Sequence, residues 1–195
     1  MTGSDRRDVA RKTSSEGDIE AFLRQAKRGP AGPVGRLIFA LDATQSRQPT
    51  WDRACNLQAE MFRAAASLGG LAIQLVFYRG FSECKASAWT ANTDDLLRRM
   101  LRVRCEGGLT QIGKVLTNAR RQAEAAPVAA LVFVGDAFEE DIDQVCHRAG
   151  ELALHGVPAL MFQEGEDPVA RQAFKEIARL TGGAYCRFDP ASADA

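Results

Sequence analysis

The sequence predicts an α/β fold of the doubly wound type, a mostly parallel central sheet with helices on both faces. Three observations predict it. Short continuous apolar runs recur along the chain: LIFAL at 37–41, LAIQLVFY at 71–78, VAALVFV at 128–134 and VPALMF at 157–162. Such runs mark strands buried on both faces. Between them lie segments of helix length whose apolar residues fall at helical spacing. Strand and helix therefore alternate, which places crossover helices over a parallel sheet.

Residues 1–17 are charged, contain Ser and Gly, and have almost nothing to bury, so a flexible arm is expected there. Ile19, Phe22, Leu23 and Ala26 then fall at helical spacing. Asp18 can cap that helix and GPAGP at 29–33 stops it, which makes 18–33 a leader helix and linker. The α/β domain itself is expected over 34–195.

Within it, the strand at 37–41 leads to a helix at 51–68 carried by Leu57, Met61, Phe62 and Ala65 and ended by Gly69-Gly70. The strand at 71–78 turns at Gly80 into a short edge strand at 83–89. A helix follows at 93–103, with Thr93 as N-cap and Leu96, Leu97, Met100 and Leu101 facing inward. After a loop at 104–110 come a helix at 112–125, the strand at 128–134, and a helix at 139–154 closed by Gly156. The strand at 157–162 precedes a helix at 168–180, where Asp167 caps and Pro168 takes the first helical position. A strand at 184–188 ends a connectivity that is Rossmann-like.

Composition narrows the function classes. The chain has 195 residues, 46% hydrophobic and 26% charged, the balance of a globular protein. Lys plus Arg and Asp plus Glu each number 25, and a net charge of zero argues against nucleic acid, which calls for a basic excess. No segment reaches the roughly 18 apolar residues of a membrane span. The first residues lack the apolar core of a secretory signal. The five cysteines (Cys55, Cys84, Cys105, Cys146, Cys186) form no C-x-x-C pair. An odd, dispersed set points to thiols in a reducing cytoplasm, packed as small hydrophobes. Cys146 and adjacent His147 have no second ligand pair and make a poor zinc site.

Ligands of an open parallel sheet bind beyond the carboxyl ends of its strands, where strand order reverses. The first strand is followed there by Asp42-Ala43-Thr44-Gln45-Ser46, the strand at 128–134 by Asp136, and the loop before residue 112 offers Thr110. Two carboxylates and three hydroxyls from three loops, with no His or Cys, are hard oxygen donors. They suit Mg²⁺ or Mn²⁺ and leave coordination positions open.

This D-x-[ST]-x-S segment, a distant Thr and an Asp closing a later buried strand resemble the metal-ion-dependent adhesion site of von Willebrand factor A (vWA) domains, in particular the small stand-alone bacterial type. Asp42, Thr44 and Ser46 match the first part, Thr110 the second and Asp136 the third, over roughly residues 34–188. The resemblance implies hydroxyls touching the ion, carboxylates binding it directly or through water, and an acidic side chain of a partner protein completing the shell. It further implies that an ATPase of the same system could be that partner. Thr44 stands where Ser is usual, Ala137 stands where Gly is common, and the family's last helix has no counterpart after 188; no ligand is lost.

Other features compete for the same edge. Glu139, Glu140, Asp141 and Asp143 read as acidic residues favouring the dipole of the helix they open. FQEGED at 162–167 makes the rim acidic. Arg98, Arg99, Arg102 and Arg104 read as a solvated face, with Arg102 and Arg104 able to flank the ligand path. The alternative function is a Mg²⁺-dependent phosphoryl hydrolase with Asp42 as nucleophile. Against it, position 44 is Thr rather than a second acid, and no Lys stands between Arg36 and Lys85. No glycine-rich nucleotide motif follows the first strand. His147 and His155 lie away from this edge, so no catalytic constellation is expected.

Overall fold

The computed structural model describes residues 35–48 and 71–188. The arm at 1–17, the leader helix and linker at 18–33, the helix at 51–68 and Cys55 lie outside the described residues.

The described elements are β1 (Gly35–Asp42), a 3₁₀ turn (Gln45–Arg47), β2 (Leu71–Arg79), β3 (Glu83–Ala86), α1 (Thr93–Met100) and α2 (Ile112–Ala125). They continue with β4 (Ala130–Gly135), α3 (Ile142–Leu154), β5 (Ala159–Glu164), α4 (Pro168–Thr181) and β6 (Ala184–Phe188). The sheet order is β3-β2-β1-β4-β5-β6. Every neighbouring pair is parallel except β2 with β3. The chain places β2 on one side of β1 and β4 on the other, so strand order reverses between β1 and β4. Asp42 closes β1 at that point, and Asp136 follows the last residue of β4.

Alternation within the strands builds two cores. Ile38 and Ala40 of β1 join Val76, Phe133 and Met161 under α2, α3 and α4, through Ile112, Leu116, Val145, Phe174 and Ile177. Leu37, Phe39 and Leu41 point the other way, with Ile73, Leu75, Val132 and Val134, and meet Leu96 and Met100 of α1. Both faces are therefore covered, which is why the strands read as unbroken apolar runs rather than alternating ones.

Several boundaries differ from the sequence expectation, each for a local reason. Asn92, not Thr93, caps α1, its side chain accepting from Asp95 N at 3.0 Å. That helix ends at Met100, before the expected 103. β3 stops at Ala86 because Ser87 turns its hydroxyl onto Leu75 N (3.0 Å), and only a single bridge, Ile73 with Thr90, extends the pairing. α3 starts at Ile142 rather than 139, capped by Asp141, whose carboxylate accepts from Gln144 N at 2.9 Å. At α4 the expected cap holds: Asp167 accepts from Val169 N at 2.7 Å, with Pro168 beginning the helix.

Candidate functional site

The site begins where β1 runs out. Asp42 is fully buried, one oxygen accepting from Thr44 N (2.8 Å) and the other from the Tyr78 hydroxyl (2.8 Å). The Thr44 amide bond folds the chain back over the carboxylate, an Asx-type turn that D-x-[ST] sequences favour. The next residues form a single 3₁₀ turn, bringing the Thr44 and Ser46 hydroxyls within 3.1 Å of each other. Thr44 is buried and Ser46 exposed, so the pair spans from the floor of the site to its mouth.

Asp136 enters from β4. Its carboxylate lies close enough to Ser46 and to Asp42 to feel both. Its Oδ1 is buried and has no hydrogen-bond partner. Gly135 lets the strands approach here: a Cβ on it would stand 2.8 Å from the Phe133 ring and 3.3 Å from Asp42 Cβ. Burial pushes the Asp42 carboxyl above its ordinary value of 3.8, with Asp136 adding to the rise and the Thr44 and Tyr78 hydrogen bonds opposing it. Burial likewise raises Asp136, opposed by Ser46 and the Arg47 charge. The Tyr78 hydroxyl is pushed well above its usual range, first by burial and then by the negative charge of Asp42. It therefore stays protonated and donates.

Thr110 reaches the same edge on the loop after α1. Glu106 N donates to Ala43 O (3.0 Å), and Leu109 N to Gly80 O (3.2 Å). Gln111 Nε2 donates to the carbonyls of Arg79 and Gly80, both at 3.1 Å. These bonds pin the loop across the carboxyl ends of β1 and β2. The buried Thr110 hydroxyl accepts from Glu139 N (2.9 Å), while Thr110 N donates to Glu139 Oε2 (3.1 Å). Burial raises the nearby Glu140 carboxyl, opposed by the Gly113 and Ile112 amides and by Thr110.

Behind the site lies a charge that the sequence reading did not single out. Arg47 is wholly buried. It donates to the main-chain oxygens of Asp42 (3.1 Å) and Val134 (3.3 Å), and through Nε (3.0 Å) and a terminal nitrogen (2.5 Å) to Glu164 Oε2. One guanidinium thus ties together the ends of β1, β4 and β5.

No family model matches the sequence, and no curated protein is significantly similar to it. Solved structures do match. The VWA domain of SpRpn10 superposes with a TM-score of 0.64 at 13% identity, over 82% of this chain and 90% of that one. The vWF domain of the type V pili tip protein Mfa5 from Porphyromonas gingivalis gives 0.65 at 11% identity, covering 84% and 92%. The pilus adhesin SpaC from Lactobacillus rhamnosus GG gives 0.65 at 10% identity, over 82% of this chain and 28% of that one. The fold is that of a vWA domain.

On this vWA fold hydrogen bonds link Asp42, Thr44 and Ser46, and Asp136 lies beside them. Thr110 stands on the same edge, held through Glu139. The donors are all hard oxygens, and Asp136 Oδ1 lacks any partner, so the set fits a hard divalent ion. Among the described residues no group of three or more His, Cys, Asp or Glu side chains could hold a metal. An ion at this edge would therefore depend on hydroxyls and water for the rest of its shell.

Two readings of the acidic residues change. Glu139 and Glu140 do not serve the helix after them; they turn back to the segment before. Glu140 accepts from Ile112 N (2.5 Å) and Gly113 N (2.9 Å), and so caps α2, which lacks a capping side chain of its own. Glu164 is not rim charge but the buried partner of Arg47, and Gln163 is buried too, accepting from the Tyr185 hydroxyl at 2.7 Å. Within FQEGED only Glu166 and Asp167 carry charge at the surface. Tyr78 and Arg47 went unread, and Glu140 was assigned to the wrong helix, because their roles depend on contacts 36, 117 and 28 positions apart in sequence. Arg99 and Arg98 pair with Asp95 at 2.7 and 3.7 Å, as a solvated helix face should. Burial raises the Cys84 thiol to about 11, in keeping with a packing role. No described helix is long and apolar enough to cross a membrane.

Proposed function

We propose that this chain is a metal-dependent protein-interaction module, holding Mg²⁺ or Mn²⁺ at Asp42, Thr44, Ser46, Thr110 and Asp136 and offering it to a carboxylate of a partner protein. The observation that carries the reading is Asp136 Oδ1. It is a buried carboxylate oxygen without a donor, beside a second buried carboxylate and a pair of hydroxyls. Leaving such an oxygen unpaired is costly, and a cation removes the cost. The vWA neighbours, among them a pilus adhesin, support protein binding at the general level.

Each residue has a separable part. Tyr78 and Thr44 N hold the Asp42 carboxylate in one orientation. Thr44 and Ser46 present hydroxyls from floor to mouth, and Arg47 holds the ends of β1 and β4 at fixed spacing. When bound, the ion would offset the charge of Asp42 and Asp136 and, with three neutral hydroxyls among its five protein donors, keep coordination positions open at the mouth for a partner oxygen. The partner we assign is an acidic segment of a protein, with an ATPase of the same system as one class. The dispersed thiols favour the cytoplasm.

Calorimetric titration with Mg²⁺ and Mn²⁺ tests the reading. Binding is expected in the native chain, lost in Asp42→Ala and weakened in Thr110→Ala, with circular dichroism unchanged. Equal affinity in Asp42→Ala would reject the site. A pull-down from native extract, run with Mg²⁺ against EDTA, should lose the partner on chelation.

A further inference from the structure

Exposed apolar side chains cluster beside one flank of the candidate site. Phe81 is 78% exposed at the tip between β2 and β3, and Leu109, adjacent to Thr110, is 49% exposed. Both are far from typical occupants of a turn, where polar residues cost less. They are also held together. Leu109 N donates to Gly80 O at 3.2 Å, and Gly108 packs so closely that a Cβ on it would stand 1.9 Å from the same oxygen. The hairpin tip and the Thr110 loop are therefore tied together through their backbones, which places the apolar pair next to a proposed ligand.

Charge on this flank has one sign to spare. Lys114 lies against the tip, its Nζ donating to Ser82 O at 2.9 Å, and Arg102 and Arg104 are exposed on the loop leading to Leu109. Of the nearby acids, Glu83 pairs with Arg79 at 3.0 Å and Lys85 at 2.6 Å, Glu106 with Arg79 at 3.5 Å, and Glu139, which accepts from Thr110 N, keeps its charge. Across the site, at the start of α4, Glu166 pairs with Arg187 at 3.0 Å and Asp167 caps the helix, so Asp167 supplies the acidic charge there. An incoming acidic chain is thus drawn to the Phe81–Leu109 side and turned from the other.

From these juxtapositions we propose that the partner segment carries a bulky apolar residue next to its metal-seeking carboxylate, and that Phe81 and Leu109 form the surface receiving it. The inference rests on the metal-dependent reading above. It names the partner's chemistry more closely: an acidic–apolar segment of a protein, docked in one polarity, rather than any exposed Asp or Glu.

The probes are two fluorescent Gly/Ser peptides, each with one Asp, flanked by Leu in one and by Ser in the other. With Mg²⁺, anisotropy should show the Leu-flanked peptide binding about ten-fold more tightly. The double variant Phe81→Ser/Leu109→Ser should abolish that preference while keeping its melting temperature and its Mg²⁺ affinity, since both side chains are exposed. Equal binding of the two peptides, binding by neither, or a preference that survives the double variant overturns the proposal. A preference that persists in EDTA and in Asp42→Ala would keep the apolar surface but reject the metal reading, so the two failures are distinct. Sedimentation of the native chain supplies the last arm. A dimer that the double variant dissociates would assign the surface to a second copy and overturn the proposal also.

Discussion

Truncating Glu164 tests the charge pair behind the site. Arg47 is wholly buried and the Glu164 side chain only 6% exposed, so neither group is solvated by bulk water. Glu164→Ala removes two of the guanidinium's hydrogen bonds and one carboxylate facing it, while its bonds to the carbonyls of Asp42 and Val134 remain. Removing one partner of a buried pair costs about 3–5 kcal/mol. With a urea m-value near 2 kcal/mol/M, the midpoint should fall by about 1.5–2.5 M. Replacing both partners, as Arg47→Met/Glu164→Leu, removes both buried charges together and forfeits the two carbonyl bonds, about 1 kcal/mol each. The double variant should therefore be more stable than Glu164→Ala, at roughly 2 kcal/mol below the native chain. Urea titrations followed by circular dichroism measure all three proteins. A Glu164→Ala midpoint within about 0.5 M of native, or a double variant less stable than the single, would refute the claim that this pair is a desolvated unit.

The remaining predictions concern the carboxylates. Asp42 and Asp136 are both raised by burial, so the metal-free folded state binds their protons more tightly than the unfolded chain does. Metal-free stability from these groups is therefore greatest below the raised values and falls as pH rises through them. Mg²⁺ needs the ionised forms, so its stabilising increment should shrink as pH falls, starting above the ordinary value of 3.8. Thermal melts with and without Mg²⁺ across pH check both slopes, and Asp42→Asn should flatten each; an increment that grows on acidification would contradict the assignment. Glu140→Ala should cost about 1–2 kcal/mol by uncapping α2, a fall of about 2–8 °C in melting temperature. Hydrogen exchange should then show Ile112 and Gly113 losing protection first, and unchanged rates at those amides would exclude the capping role.

The alternation of apolar runs and helical spacing was enough to establish the architecture, because burial on both faces of a parallel sheet writes itself directly into residue type. The expected strands at 37–41, 71–78, 128–134 and 157–162 lie along β1, β2, β4 and β5, and 184–188 coincides with β6. The candidate donors were legible for a related reason: residues just past a strand's carboxyl end have few positions open to them, so Asp42, Thr44, Ser46 and Asp136 could be placed on one edge from order alone. Thr110 also reached that edge, but through Glu139, whose bonds to it span 29 positions and follow no local pattern. Helix ends were legible only where the cap lies beside its helix, as at Asp167; α2 takes its cap from Glu140, beyond β4, and no window along the chain contains both. Arg47 makes the same point most sharply. In sequence it is one more charged residue in a loop, and a solvated side chain is the natural expectation. Only the packing of β1, β4 and β5 around it removes the water, and desolvation is what turns an ordinary arginine into the bond between three strand ends.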